Sequence, residues 1–435
     1  MPVWFAAVAD DDTGATDLAG MLAERGMRAV LIIDEPSPED FERWTSNADA
    51  VVIGTASRSI SADAAYSRTR RAVQLLKTLR PEVLQIKYCS TFDSTAIGNI
   101  GPSINAALDE TGEKFTVALP ALPVNGRTTY MGYHFVGQQL LSDSPMKDHP
   151  LNPMTNSNLV THLQSQTKRR VGLLAYPDVW KGPARIAERL DHLRAESIEI
   201  AILDCISDED LRSICGAIDN LPLVTGSSAP GMFLPLSWRQ TTPEPILHGS
   251  IKNGHGFLVV AGSYSEATRR QNDWLASQDV AVVTLDALEL AGSAEPTAHA
   301  IITEVTESLA VGQTCLLQVS RNFEQVVEYF RSQNKTEIET GERIARGLAE
   351  VVRGILDVVL PEGLIIAGGE TSSIISRVLG FRALRVGPNI EPGVPVCITL
   401  AGPALPLVFK SGNFGSEYFY GMAMNAIRDL RGIKE

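Results

Sequence analysis

A lysine, several hydroxyls, a thiol and a carboxylate crowd into one short run, Lys87-Tyr88-Cys89-Ser90-Thr91-Phe92-Asp93-Ser94-Thr95. The apolar, strand-like segment Val83-Leu84-Gln85-Ile86 stands directly before it. A core cannot bury such groups unpaired, and a plain surface loop does not need the mixture. Lys87, Ser90, Thr91 and Asp93 are therefore candidates to hold a small, oxygen-rich anion. A second polar run, Ala9-Asp10-Asp11-Asp12-Thr13-Gly14-Ala15, follows the strand-like Phe5 to Val8. Three successive acids repel one another, and a carboxylate there could take a proton from a substrate hydroxyl or hold a cation. Capping the helix that follows would need only one residue, Asp12 or Thr13. Arg58 follows a third strand-like run, Ala50 to Ile53. Arginine can grip a carboxylate through two parallel bonds. Pro120 to Arg127 follows a fifth run, with Asn125-Gly126 marking a tight turn and Arg127 beside it.

The second half gathers glycines and hydroxyls instead of acids. Ala367-Gly368-Gly369-Glu370-Thr371-Ser372-Ser373 follows the strand-like Leu364 to Ile366 and opens a helix. Glycines let backbone approach a ligand, and the free N–H groups of a helix start favour phosphate oxygens. An ordinary glycine turn with a Thr or Ser cap is the plainer alternative. Glu370 beside phosphates would need a divalent cation or a donor between them. Gly262-Ser263-Tyr264-Ser265 and Lys410-Ser411-Gly412-Asn413 are similar loops. Gly412 allows close approach, and Lys410 could act as a point charge on phosphate. No GxxxxGK[ST], strand-linked GxGxxG, HExxH or GxSxG motif occurs.

The elements that must position these loops alternate between strand and helix. Nearly continuous Val/Ile-rich runs suit strands buried on both faces, and their alternation with helical stretches predicts α/β architecture with mostly parallel sheets flanked by helices. A chain of 435 residues suggests two domains. The first spans 1–228, a Gly/Pro/Ser-rich linker 229–256, and the second 257–435. Ligands bind beyond the carboxyl ends of strands in such sheets. Residues 142–158 read as a lid or a rigid turn, with Thr155 or Asn156 as a helix cap. The net charge of −13 disfavours nucleic acid but leaves room for a small anion held by local cations. Five dispersed cysteines with no CxxC pair, an N-terminus unlike a signal peptide and no bilayer-length apolar run predict a cytoplasmic location and no membrane partner. Oligomeric state is left open, a homo-oligomer included.

The strings ADDDTGATD, KYCSTFDSTAIGNIGP, LPALPVNGRTTYMGYHF, HPLNPMTNS, AGGETSS, GPNIEPGVP and LVFKSGNFG, in this order, resemble the four-carbon acid sugar kinases over nearly the whole chain. Within that family they look most like the branch that acts on 3-oxo-tetronates. The resemblance implies an ATP-dependent kinase that phosphorylates the 4-hydroxyl of a four-carbon 3-oxo acid sugar. Threonate or erythronate kinases of the same family, a non-catalytic acid-sugar sensor and an oxidoreductase are the alternatives. The resemblance further implies an active site in the interdomain cleft. The acid sugar would meet the Asp10-Asp11 loop, Arg58, the Lys87 to Asp93 loop and the Asn125 to Arg127 turn. ATP, with Mg²⁺, would meet Ser263, Gly368, Gly369, Glu370, Thr371 and Gly412. The base is one of Asp10, Asp11 and Asp93, and the metal ligands are not identified. Asp12, where the family pattern leads one to expect an aromatic residue, and Tyr264 depart from it.

Overall fold

A computed structural model describes residues 3–148, 152–238, 255–292, 295–320, 323–332 and 336–430, apart from the side chains of residues 295–297, 323–324, 337–338 and 370. His149 and residues 239–254 of the expected linker lie outside the described residues. The chain forms two compact units, Met1–Thr242 and Pro243–Glu435.

The strands of the first unit are β1 (Phe5–Ala9), β2 (Ala29–Ile33), β3 (Ala50–Gly54), β4 (Val83–Lys87), β5 (Thr116–Leu119), β6 (Arg127–Tyr130), β7 (Tyr133–Val136), β8 (Gln139–Leu140), β9 (Val171–Leu174), β10 (Ile200–Leu203) and β11 (Leu223–Gly226). A parallel sheet runs in the order β2-β3-β1-β4-β11-β5-β10-β9. Every residue of β1 to β5 is buried, as their unbroken apolarity predicts for strands covered on both faces. Strands β6, β7 and β8 form a separate 3-stranded antiparallel sheet, which the alternating pattern did not reveal.

The second unit carries β12 (Phe257–Ala261), β13 (Ala281–Leu285), β14 (Cys315–Val319), β15 (Gly363–Ala367), β16 (Ala383–Glu391), β17 (Val394–Thr399) and β18 (Pro406–Lys410). Their order is β13-β14-β12-β15-β18-β17-β16. Strands β12 to β15 and β18 pair in parallel, whereas β17 runs antiparallel to both β16 and β18. Phe257, Val259, Ile365, Val408, Phe419 and Ile427 belong to its core.

The two units open with one topology. The third strand inserts between the second and the first, and the fourth joins the far side of the first: β2-β3-β1-β4 and β13-β14-β12-β15. No sequence repeat announces this. In each unit the chain reverses direction across the sheet at the first and fourth strands. The carboxyl ends of such a pair form the crevice where ligands of open α/β sheets bind. Asp10 and Lys87 stand at one crevice, Gly262 and Gly368 at the other. No helix among the described residues is long and apolar enough to cross a membrane.

Candidate active site

In the first unit the loops after β1, β3 and β4 bring together residues far apart in the chain. Arg58 donates from Nε and Nη2 to the two oxygens of Asp10, each at 2.9 Å, and from Nη2 to Asp11 Oδ1 at 2.6 Å. Its Nη1 lies 3.9 Å from Asp93 Oδ2. One guanidinium thus gathers the three candidate aspartates, which answers their mutual repulsion. Burial works against the Arg58 charge, but Asp10 and Asp11 outweigh it and raise its pKa well above the usual value.

The aspartates are not equivalent. Asp10 spends both oxygens on Arg58. Asp93 is almost covered and accepts from Thr91 Oγ1 at 2.8 Å. Asp11 Oδ1 accepts from Arg58 and, at 3.0 Å, from the Gly14 N–H, so Asp11 and not Asp12 or Thr13 caps the helix Asp12–Glu24. Its Oδ2 has no hydrogen-bond partner among the described residues, and its side chain is 27% exposed. Desolvation raises the Asp11 pKa, Asp10 and Asp12 add to the rise, and Arg58 and Lys87 oppose it.

Lys87, 3% exposed at the end of β4, donates to the Tyr88 carbonyl at 3.1 Å. It faces Asp11 across position 14, which has no side chain. A Cβ at Gly14 would stand 2.5 Å from Asp11 Oδ1 and 2.7 Å from Lys87 Nζ. Asp17 is the charged partner that sequence reading missed. Ser228 Oγ donates to its Oδ2. Burial raises its pKa while Lys87 and Ser228 pull it down. Gly14 and Asp17, three apart on one helix, share a face, and that spacing could have pointed to it.

The Lys87 to Asp93 loop is held from behind. His134 Nε2 donates to the Ser90 carbonyl at 2.8 Å while Nδ1 accepts from Thr129 Oγ1 at 3.0 Å. Burial depresses the His134 pKa to about 4, despite the Ser90 bond and with help from Arg127, so the ring is neutral. His162 Nε2 holds the Ser94 carbonyl at 2.8 Å. Arg127, at the start of β6, donates to the Asn125 carbonyl, and its Nε is buried with no partner among the described residues. Asn125 is exposed. A recess lined by Asp10, Arg58, Lys87, Asp93 and Asn99 does not include Asn125 or Arg127. Asn158, rather than Thr155 or Asn156, caps the next helix by accepting from the Thr161 N–H.

In the second unit Ser263, Gly368, Gly369 and Thr371 line one recess. Gly368, at φ +131°, begins the helix Gly369–Val378 without a side-chain cap, so the expected Ser or Thr cap is not used. A Cβ on Gly262 would meet Thr371 at 2.6 Å, so the two loops touch through missing side chains. The opposite wall comes from the helix Glu337–Val358, through Gly341, Ile344, Ala345 and Leu348. This apolar patch escaped the sequence reading, although positions 341, 344, 345 and 348 recur on one helix face. Gly412 does not line the recess. A Cβ there would collide with Ser263 Oγ, so its smallness seats Ser263. Gly412→Ala should therefore weaken about tenfold, through a displaced Ser263, the binding of the ATP that the resemblance implies, leaving the implied sugar's KM unchanged. An unchanged ATP titration would detach Ser263 from nucleotide binding.

Lys410 differs from its sequence reading. It is fully buried and turns Nζ onto Thr268 Oγ1 at 3.2 Å, the Ser411 carbonyl at 3.0 Å and the Gly412 carbonyl at 3.2 Å. Burial lowers its pKa to about 8, against the pull of Glu391. It fastens its loop instead of offering a charge to phosphate. The Glu370 side chain lies outside the described residues.

Residues 5–233 match the family described as a sugar-binding N-terminal domain, and residues 258–420 match a nucleotide-binding C-terminal domain. A 3-oxo-tetronate kinase of Pseudomonas fluorescens is 40% identical over 423 residues, 97% of this chain and 96% of the relative. One of Cupriavidus necator is 39% identical over 425 residues, with 97% and 96% covered. A crystal structure of a Haemophilus influenzae protein matches with a TM-score of 0.82 at 34% identity, covering 97% of this chain and 100% of that one. Matched in both halves and along nearly its full length, the chain belongs to the four-carbon acid sugar kinase family, among relatives named 3-oxo-tetronate kinase.

Proposed function

We propose that the chain is an ATP-dependent kinase that transfers the γ-phosphoryl group to the 4-hydroxyl of a four-carbon 3-oxo acid sugar, giving the 4-phosphate and ADP. Near-complete coverage by relatives of that name is the observation that carries it. The site supports the chemistry. Phosphoryl transfer asks for alignment and charge neutralisation more than for covalent help. Asp11 is the base: its Oδ2 is open, whereas both Asp10 oxygens are taken and Asp93 is nearly covered. The 4-OH proton passes to Asp11 Oδ2, the oxygen bonds to the γ-phosphorus, and the bond to the bridging oxygen of ADP breaks. Arg127, with its unpartnered Nε, and the Ser90 hydroxyl hold the acid end, while Lys87 supplies positive charge beside Asp11.

The base of ATP rests on Ile344, Ala345 and Leu348, and its phosphates on Ser263, Gly368, Gly369 and Thr371. The described residues include no group of three or more His, Cys, Asp or Glu suited to a metal. Both Asp10 oxygens and one Asp11 oxygen are bonded to Arg58. Mg²⁺ would enter with ATP as the MgATP substrate and would offset the charge of the transferred phosphoryl group. A coupled ADP-release assay across 3-oxo-tetronates, threonate and erythronate tests the reading. Turnover should favour a 3-oxo acid. Preference for threonate or erythronate would move the chain to a sister activity, and binding without ADP release would make it a sensor.

A further inference from the structure

Asn99 occupies the N-cap of the helix Ile100–Thr111, yet its side chain makes no cap bond. Asparagine is among the best capping residues, so that omission has a cost. The amide goes elsewhere. Asn99 Nδ2 donates to the carbonyls of Ser57 at 2.7 Å, Arg58 at 3.1 Å and Ile60 at 2.7 Å. The N–H groups of Ser57 and Arg58 are held from the other side by the Asp10 carbonyl, at 2.8 and 3.2 Å. Asn99 N–H in turn donates to Ser94 Oγ at 3.1 Å, in the loop after β4. One residue therefore bolts the loop after β3 to the loop after β4, and Arg58 sits on the part so held.

We infer that Asn99 is a positioning residue for the phosphoryl transfer, setting the place of Arg58 and through it the orientation of Asp11. The inference rests on the kinase reading above. Its amide is turned onto backbone carbonyls, so its part is to hold Arg58 in place. Releasing it leaves covered carbonyls without a donor and lets the Arg58 backbone drift toward solvent. Arg58 grips Asp11 through a single 2.6 Å bond but Asp10 through two, so drift loosens Asp11 first.

The test compares Asn99→Ala and Asn99→Ser with wild type, since serine keeps a small polar group at the helix start. Each is assayed for ADP release against pH, for KM of both substrates and for melting temperature. We expect kcat to fall about 10- to 100-fold, the scale of a displacement near 1 Å. KM for ATP should not change, and at least one variant should keep a near-wild-type melting temperature. The acid limb of the kcat profile should move to higher pH. The charges facing Asp11 are Arg58, Lys87, Asp10 and Asp12, and Arg58 is the cation that weakens its hold. Its departure lets the Asp11 pKa climb, so the base is protonated over more of the acid range. Turnover within twofold of wild type, an unmoved acid limb, or a loss explained wholly by unfolding of both variants would overturn the inference. Wild-type activity is read in the same assay, so failure of the kinase reading shows as no ADP release in any protein, distinct from failure of the Asn99 role.

Discussion

Asp11→Asn should lower kcat by about 100-fold or more, the loss expected when a general base is removed, and it should do so in a folded protein. Asparagine keeps the volume of aspartate and is an equally good N-cap, so the bond from the Gly14 N–H survives. Arg58 loses one anionic partner but keeps its bidentate hold on Asp10. The urea midpoint should therefore shift little, and the KM for ATP should stay put. The pH profile supplies a second check. Burial places the Asp11 pKa above the ordinary carboxylate range, so wild-type turnover should rise with pH through an acid limb displaced upward. The residual activity of the variant should lose that limb, because asparagine does not titrate. ADP release measured at saturating substrates across pH gives both numbers. Near-normal turnover in Asp11→Asn would take Asp11 out of the reaction and return the choice to Asp10 or Asp93.

How much of this was legible in the chain depends on whether a residue acts through its neighbours in sequence or in space. The buried strands were, because unbroken runs such as Ala29–Ile33 and Phe257–Ala261 suit a sheet covered on both faces. The polar strand ends were, since Asp10 and Lys87 close such runs and Arg58 stands a short way past one. The division of labour among them was not. Whether Arg58 grips a substrate carboxylate or the protein's own aspartates depends on Asp10, which lies 48 positions away. Lys87 and Lys410 look alike in sequence, each ending an apolar strand. One faces Asp11 across a glycine gap, the other three oxygen acceptors of its own unit. Strands β6, β7, β8 and β16 escaped because short or partly exposed segments lack the apolar run that marked the rest. Asn99 was hidden for a different reason. Its residue type and place both suggest a helix cap, and only the fold shows the amide spent on another loop.

The second large effect is expected from Arg58→Met, which keeps the bulk of the side chain and removes the charge. Asp10, Asp11 and Asp93 would then face one another without their shared cation. Breaking a buried ion pair on one side costs about 3–5 kcal/mol. Arg58 is 21% exposed, so a value near about 3 kcal/mol, at the low end of that range, is expected for unfolding of the first unit. The sign of its pH dependence follows from linkage. Without Arg58, Asp11 meets burial and the charge of Asp10 and Asp12 without its chief opposing cation, and its folded pKa rises further above that of the unfolded chain. The folded variant then binds more protons than the unfolded one, and stability falls as pH rises through that window. The deficit against wild type should be full near neutrality and should shrink as pH drops and Asp11 takes up its proton. Turnover should fall at least as far as in Asp11→Asn, since a protonated Asp11 cannot accept the substrate proton. Urea midpoints of both proteins at neutral and acid pH read the effect directly. A deficit that widened on acidification would mean that protonating Asp11 relieves nothing, and that solvent, not Arg58, keeps these three acids apart.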